Sequence, residues 1–260
     1  MPKVYPTGTS KTYKTQKHTH FAVLCGREAD LDLLTHYFTN DACKVVRDDT
    51  RRRYILRSAR LELPCEWAKS SFGDGEIEQN ELMAEDIAEN LVTLMNGTVT
   101  LQTYGFKPVS VEYIGWDEET GVHVTLSDHL AAHPRPPEDP IKRALPALWL
   151  QAGVLNENVK LALCILASQP VGWTSLYLLY ELIKRDVGTL PPAWVSKKEA
   201  HAFTATANHS RVLADGMRHA KTTPRDWTQE QEISLSDARG IIFNVMKEWI
   251  DGILRKVNRM

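Results

Sequence analysis

The stretch of this chain densest in groups able to do chemistry runs from Ala207 to Ala220, and it holds Asn208, His209, Arg211, Asp215-Gly216, Arg218 and His219. Core packing has no use for these residue types. Histidine can move a proton near neutral pH, and arginine can hold the negative charge that develops on phosphoryl oxygens. Together they are what phosphodiester cleavage without a metal requires. On that reading His219 is the candidate general acid/base, Arg211 or Arg218 steadies the pentacoordinate phosphate, and Asn208 orients it. The plain alternative is structural: Asn208 ends a helix, Asp215-Gly216 turns the chain, and Arg218 and His219 bond to backbone or acidic groups.

A second cluster is cationic. Lys44, Arg47, Arg51, Arg52, Arg53, Arg57 and Arg60 lie on and beside a hairpin, with Tyr54 among them as a possible stacking face. A basic hairpin of this kind can grip a nucleic-acid backbone, with Arg47, Arg51, Arg52 and Arg53 as the candidate contacts. The competing reading is a solvated strand face balanced by Asp48 and Asp49. Other signatures are missing. The sequence has no phosphate loop, no G-x-S-x-G elbow and no H-E-x-x-H. His18 and His20, and His129 and His133, lack acidic or thiol partners at ligand spacing, so neither a metal site nor a cofactor is expected.

A helical region carrying an Arg and a downstream His near a helix junction resembles the HEPN superfamily. The resemblance covers residues 150–257. The family signature is Arg, four to six residues, then His; here seven residues separate Arg211 from His219. The resemblance implies a helical bundle and an RNA-binding, metal-independent endoribonuclease, dimeric in many members, of a bacterial defence or stress system. The same features also allow a second class: a non-catalytic interaction or scaffold subunit whose helices mediate dimerisation or partner docking. RNA, a second copy of the chain or another protein are accordingly the expected partners, and no membrane is expected.

The elements that must position these residues divide the chain. Residues 1–19 read as a polar tail. Residues 20–126 read as an α+β unit, built from a strand at His20–Cys25, a helix or loop at Ala29–Phe38 and a hairpin over Cys43–Leu63 with its tip at Asp48-Asp49-Thr50. A helix over Asn80–Met95 follows, capped by Asn80 and ended by Asn96-Gly97, then a second hairpin over Val109–Leu126. In that helix Met83, Ile87, Leu91 and Leu94 form the inward face, with alanines and glutamates outward. Residues 127–140 carry Pro134, Pro136, Pro137 and Pro140 and read as a linker.

Residues 141–260 read as an all-α bundle. Asn156–Ser168 is apolar nearly all round, Thr174–Val187 stops at Gly188, and Ser196–Glu199 is a capping box opening a helix to about Asn208. Arg211–Lys221 is a further helix or a broken one. The last helix starts at Ser234 or Ser236, with Ile241, Ile242, Val245, Met246, Trp249, Ile250, Ile253 and Leu254 as one stripe.

The 260 residues include 43% apolar and 25% charged residues, an ordinary globular mix. Net charge is −2, but residues 1–140 carry 15 basic and 22 acidic residues while residues 141–260 carry 16 and 11. A basic second part suits either docking onto the acidic first part or an anionic partner. Cys25, Cys43, Cys65 and Cys164 form no C-x-x-C pair and read as thiols of a reducing compartment. Residues 1–20 lack the apolar centre of a signal peptide, and the longest apolar run, Leu161–Ala167, is far too short for a membrane span, so a cytoplasmic location is expected.

Overall fold

An antiparallel sheet carries the first part of the chain, and its central strand is β1, His18–Cys25. The computed structural model describes residues 18–40, 42–63, 75–117, 137–168, 170–208 and 232–257. β6, Ser110–Asp117, pairs along one edge of β1, with Ala22 opposite Ile114. On the other edge lie β4, Arg53–Arg57, and β5, Glu62–Leu63, with Ala22 opposite Leu56 and Thr19 opposite Glu62. β3, Cys43–Asp48, pairs with β4, and β2, Thr39–Asn40, closes the outer edge. Helix α1, Glu28–Tyr37, bridges β1 and β2. The strand begins two residues before the expected start at His20, taking in the last two residues of the expected tail. The expected long return arm is also broken: Ser58 and a 3₁₀ turn at Ala59–Leu61 interrupt it, and Leu61 is buried there. The fold class is α+β, as the alternation of strand and helix periods predicts.

Helix α2, Gly75–Gln102, overruns both of its predicted ends. It starts five residues before Asn80, the expected N-cap. Asn96 does not end it: its buried side chain donates to the Val109 carbonyl at 2.8 Å and accepts from the Val109 N–H at 3.0 Å. These two bonds satisfy the loop that leads into β6. Gly97 serves close approach, not termination. A Cβ there would stand 2.2 Å from the Leu163 carbonyl oxygen, so only glycine lets the two helices meet. Leu91 and Leu94 are buried as predicted, but Ala84 and Ala88 are fully buried while Met83 is 54% exposed, so nearer the start of the helix the small side chains face inward.

Five further helices are present among the described residues: α3, Pro140–Leu155; α4, Glu157–Ala167; α5, Trp173–Val187; α6, Lys197–Ala207; and α7, Leu235–Val257. α3 has no counterpart among the expected helices. Pro146 stands inside it and can donate no bond to the Lys142 carbonyl; the Gln102 side chain reaches that carbonyl from α2 instead, at 3.4 Å. Asp139 caps this helix, Asn156 caps α4, and the Ser196–Glu199 box opens α6 as expected. α5 ends on Gly188 at φ 76°, a left-handed position. α7 buries Ile242, Val245, Met246, Trp249 and Ile250 as one stripe, and the Trp249 indole donates to Asp186 at 2.8 Å.

The largest apolar cluster is continuous. It joins Leu24, Leu34 and Leu56 of the sheet layer through Leu91 and Met95 of α2 to Leu163, Leu176 and Trp249 of the bundle. α2 is thus shared between the sheet and α3–α4. Of the expected linker, residues 127–136 lie outside the described residues, and Pro140 is already the first residue of α3. The return arm of the second hairpin, Val122–Leu126, lies outside them too.

Candidate functional site

β-strand alternation decides where the hairpin arginines point. Arg47 pairs with Tyr54 and Asp48 with Arg53 across β3 and β4, so the two arginines take opposite faces of the sheet. Arg47 turns toward α1. It reaches Glu28 at 3.1 Å, Asp32 at 3.4 Å and Asp49 at 2.8 Å, and its guanidinium lies 5.5 Å from the Tyr54 ring centre. The Tyr54 hydroxyl donates to Asp32 and accepts from Arg47 at 3.2 Å. Burial, followed by the bond to Asp32 and its charge, pushes the Tyr54 phenol above its ordinary pKa. A phenol held protonated in this way is a hydrogen-bond donor, not a base.

Arg53 turns to the other face. It donates to Asp48 at 3.0 Å and to the Tyr113 hydroxyl at 2.7 Å, and it stacks over Phe21. Its side chain is 12% exposed and that of Asp48 6%. Arg57 lies over the same Phe21 ring. Arg51 and Arg52 occupy the tip, both exposed. The tip is one step further along than predicted: Asp48 closes β3, its side chain accepts from the Arg51 N–H at 3.3 Å, and the turn falls on residues 49–52. Arg52 adopts φ 51°, a left-handed conformation that an arginine holds only at some cost.

Between the end of β1, the start of α1 and this hairpin lies an open cleft of about 660 Å³. Arg47, Arg52 and Arg53 line it together with Glu28, Asp49 and Glu112; Leu24, Leu31 and Tyr54 form its apolar part. Cys25 also lines it, with its Sγ 3.0 Å from the Ser110 Oγ. The volume suits a small ligand or a few residues of a peptide. Both signs of charge line it in equal number. Glu28 and Glu112 are the site residues that sequence reasoning missed. Glu28 sits in the first turn of α1, where a carboxylate favours the helix, and its proximity to Arg47 is set only by the fold.

Of the candidate groups in the Arg/His stretch, Asn208 alone is described. It caps the C-terminus of α6, where its backbone N–H and its side-chain amide donate to the Thr204 carbonyl at 3.2 and 2.7 Å. Arg211, Arg218 and His219 lie outside the described residues, as does the helix expected at Arg211–Lys221. The two ends of that segment are tied together: the buried Thr206 hydroxyl accepts from the Ile233 N–H at 3.2 Å. No group of three or more His, Cys, Asp or Glu side chains placed to hold a metal ion occurs among the described residues. No helix among them is long and apolar enough to cross a membrane. Comparison of the chain with protein-family models, with curated proteins and with solved structures finds no match.

Proposed function

We propose that this chain is a non-catalytic interaction subunit that holds a polar segment of a partner protein in the hairpin cleft. The observation that supports it is the charge pairing there. Arg47 and Arg53 are engaged by carboxylates of their own chain, while Arg52 and Glu112 line the cleft as exposed groups of opposite sign. Such a surface suits a segment that itself carries both signs. A phosphate backbone, with one sign only, would meet Glu28, Asp49 and Glu112 as well.

A second reading keeps the chain nucleic-acid-facing, with Arg51 and Arg52 as backbone contacts. It makes His219, Arg211 or Arg218, and Asn208 the groups of a metal-independent, HEPN-like ribonuclease. The exposure of Arg51 and Arg52 at one tip favours it.

One experiment separates the two. Labelled single-stranded RNA is titrated with the full chain over a salt series in EDTA, using wild type and His219→Ala. The interaction reading expects no cleavage. It also expects any binding to fall with salt no more steeply than a slope of about −1.4, the value for two phosphate contacts on a single strand. A slope of about −2.8, for four contacts, together with cleavage that His219→Ala abolishes, would overturn it. The positive arm is an array of short peptides rich in both Lys and Glu, retained by wild type and lost in Arg52→Glu/Glu112→Lys.

A further inference from the structure

Where the long return arm is interrupted, a cation stands beside a gap in the packing. Arg60 lies exposed on the 3₁₀ turn, and its guanidinium has no partner among the described residues; its backbone N–H is held by the Ser58 hydroxyl at 3.3 Å. Together with residues of α2, α3 and α4, Arg60 lines a partly open cavity of about 190 Å³. Leu91 and Leu94 give this cavity a buried apolar wall, which the half-buried Ile87 and Val154 extend.

Gly153 keeps the space open. A Cβ there would stand 3.8 Å from the Leu94 Cδ2 and 3.8 Å from the Lys160 Cα, both on the lining, and 2.7 Å from the Leu163 Cδ1. Any side chain at this position would crowd the apolar wall. An apolar cavity of about 150 Å³ is enough to hold benzene, so this one takes about one ring or a chain of about six carbons.

Charge sets what such a ligand must carry. The hairpin cleft is lined by three carboxylates, Glu28, Asp49 and Glu112. Among the described residues lining this second cavity there is no carboxylate, and the charged groups are Arg60 and Lys160. Lys160 is paired with Glu157 at 3.5 Å, but the two side chains are 42% and 85% exposed. A surface pair of that kind contributes little, and an incoming anion can replace the glutamate.

We infer that this cavity binds a small amphipathic carboxylate. Its ring or short chain lies against Leu91 and Leu94, and its carboxylate is held by Arg60 and Lys160. Arginine suits the task, since its fork offers a carboxylate two parallel N–H groups. Such a ligand ties the 3₁₀ turn of the sheet layer to α4 of the bundle and stabilises the fold by mass action. The cavity shares no residue with the hairpin cleft, and the inference goes beyond the interaction-subunit reading without resting on it.

The test is a titration of the full chain, carrying ¹³C-labelled Ile, Leu and Val methyl groups, with benzoate, followed by NMR. Benzyl alcohol serves as the neutral match. A ligand of about nine non-hydrogen atoms should bind here with a Kd on the order of 1 mM. The methyl signals of Ile87, Leu91, Leu94 and Val154 should move together. Arg60→Gln should weaken binding about fivefold or more, with circular dichroism unchanged because the guanidinium has no internal partner to lose. Arg60→Lys should recover part of the loss, and benzyl alcohol should bind about tenfold more weakly than benzoate. Ile87→Phe, which fills the cavity, should abolish the shifts. Benzoate that moves none of these methyl groups overturns the inference, and so does benzoate that moves them equally in Arg60→Gln. Benzyl alcohol bound as tightly as benzoate overturns it too, since the crevice would then make no use of its charge.

Discussion

On the β3–β4 hairpin the charged side chains turn to one another, Arg47 to Glu28, Asp32 and Asp49, and Arg53 to Asp48. On the outer side of α3 the apolar side chains Ile141, Leu148 and Leu155 turn to water. By residue type alone, the hairpin looks like the surface made for a partner, and α3 looks like an ordinary part of a bundle. The fold reverses the emphasis. A guanidinium already held by carboxylates of its own chain, three for Arg47 and one for Arg53, must give them up before it can hold a phosphate. An exposed leucine gives up nothing when covered. What a region offers a partner is what its own fold has left unsatisfied.

The largest effect that could break this comparison lies within the helical half. Trp249→Ala should cost about 3–5 kcal/mol in urea-unfolding free energy, since a fully buried indole and its bond to Asp186 are both lost. Leu148→Ala should stay within about 0.5 kcal/mol. A cost for Leu148→Ala approaching that of Trp249→Ala would mean that this side of α3 is interior, and the contrast would collapse.

The hairpin supplies the intermediate effect. Arg53→Ala removes the partner of Asp48, which stays behind with a side chain only 6% exposed. Taking the guanidinium from that carboxylate, which keeps the Arg51 N–H, should cost about 1–3 kcal/mol. Arg51→Ala, at the exposed tip, should cost under about 0.5 kcal/mol. Equal effects in the two variants would show that the internal pairing does not hold the hairpin together.

The smallest effect concerns two thiols on either side of the sheet layer. Burial pushes the Cys43 thiol from 9.0 up to about 12, whereas Cys25 is exposed beside the cleft. An acid whose pKa is raised by folding keeps its proton in the folded state and loses it more readily when unfolded. Cys43 therefore contributes full stability below pH 9, and that contribution declines as the pH rises toward 12. Native-state thiol labelling at about pH 8 should modify Cys25 quickly and Cys43 only on unfolding. Comparable rates would place Cys43 outside the core.

Much of the fold was readable from local pattern, and the errors share one cause. α5, α7 and the capping box of α6 rest on periodicity and on bonds between residues three or four apart, so their sequences suffice. The predicted C-terminal end of α2 failed because Asn96 and Gly97, which usually stop a helix, serve distant partners here: Val109 for one, the Leu163 backbone for the other. α3 has no counterpart among the expected helices, and what accommodates Pro146 inside it is a distant residue: Gln102 reaches the freed carbonyl from α2. In the candidate site, the arginines and Tyr54 were visible as residue types. Glu28, Asp32 and Glu112 were not, because nothing in their local sequence marks them as neighbours of the hairpin.

The sequence by itself determined the helices α4 to α7, the strands β1 and β3, the basic character of the hairpin and the stripe of α7. These follow from interactions that span a few residues, where spacing along the chain is spacing in space. Only the tertiary structure decided that Arg47 and Arg53 point to opposite faces and meet carboxylates, that α2 belongs to both sheet and bundle, and that α3 keeps a row of apolar side chains in water. Each of those depends on which distant surfaces come into contact. A charge is free or satisfied, and an apolar group buried or exposed, only with respect to such neighbours.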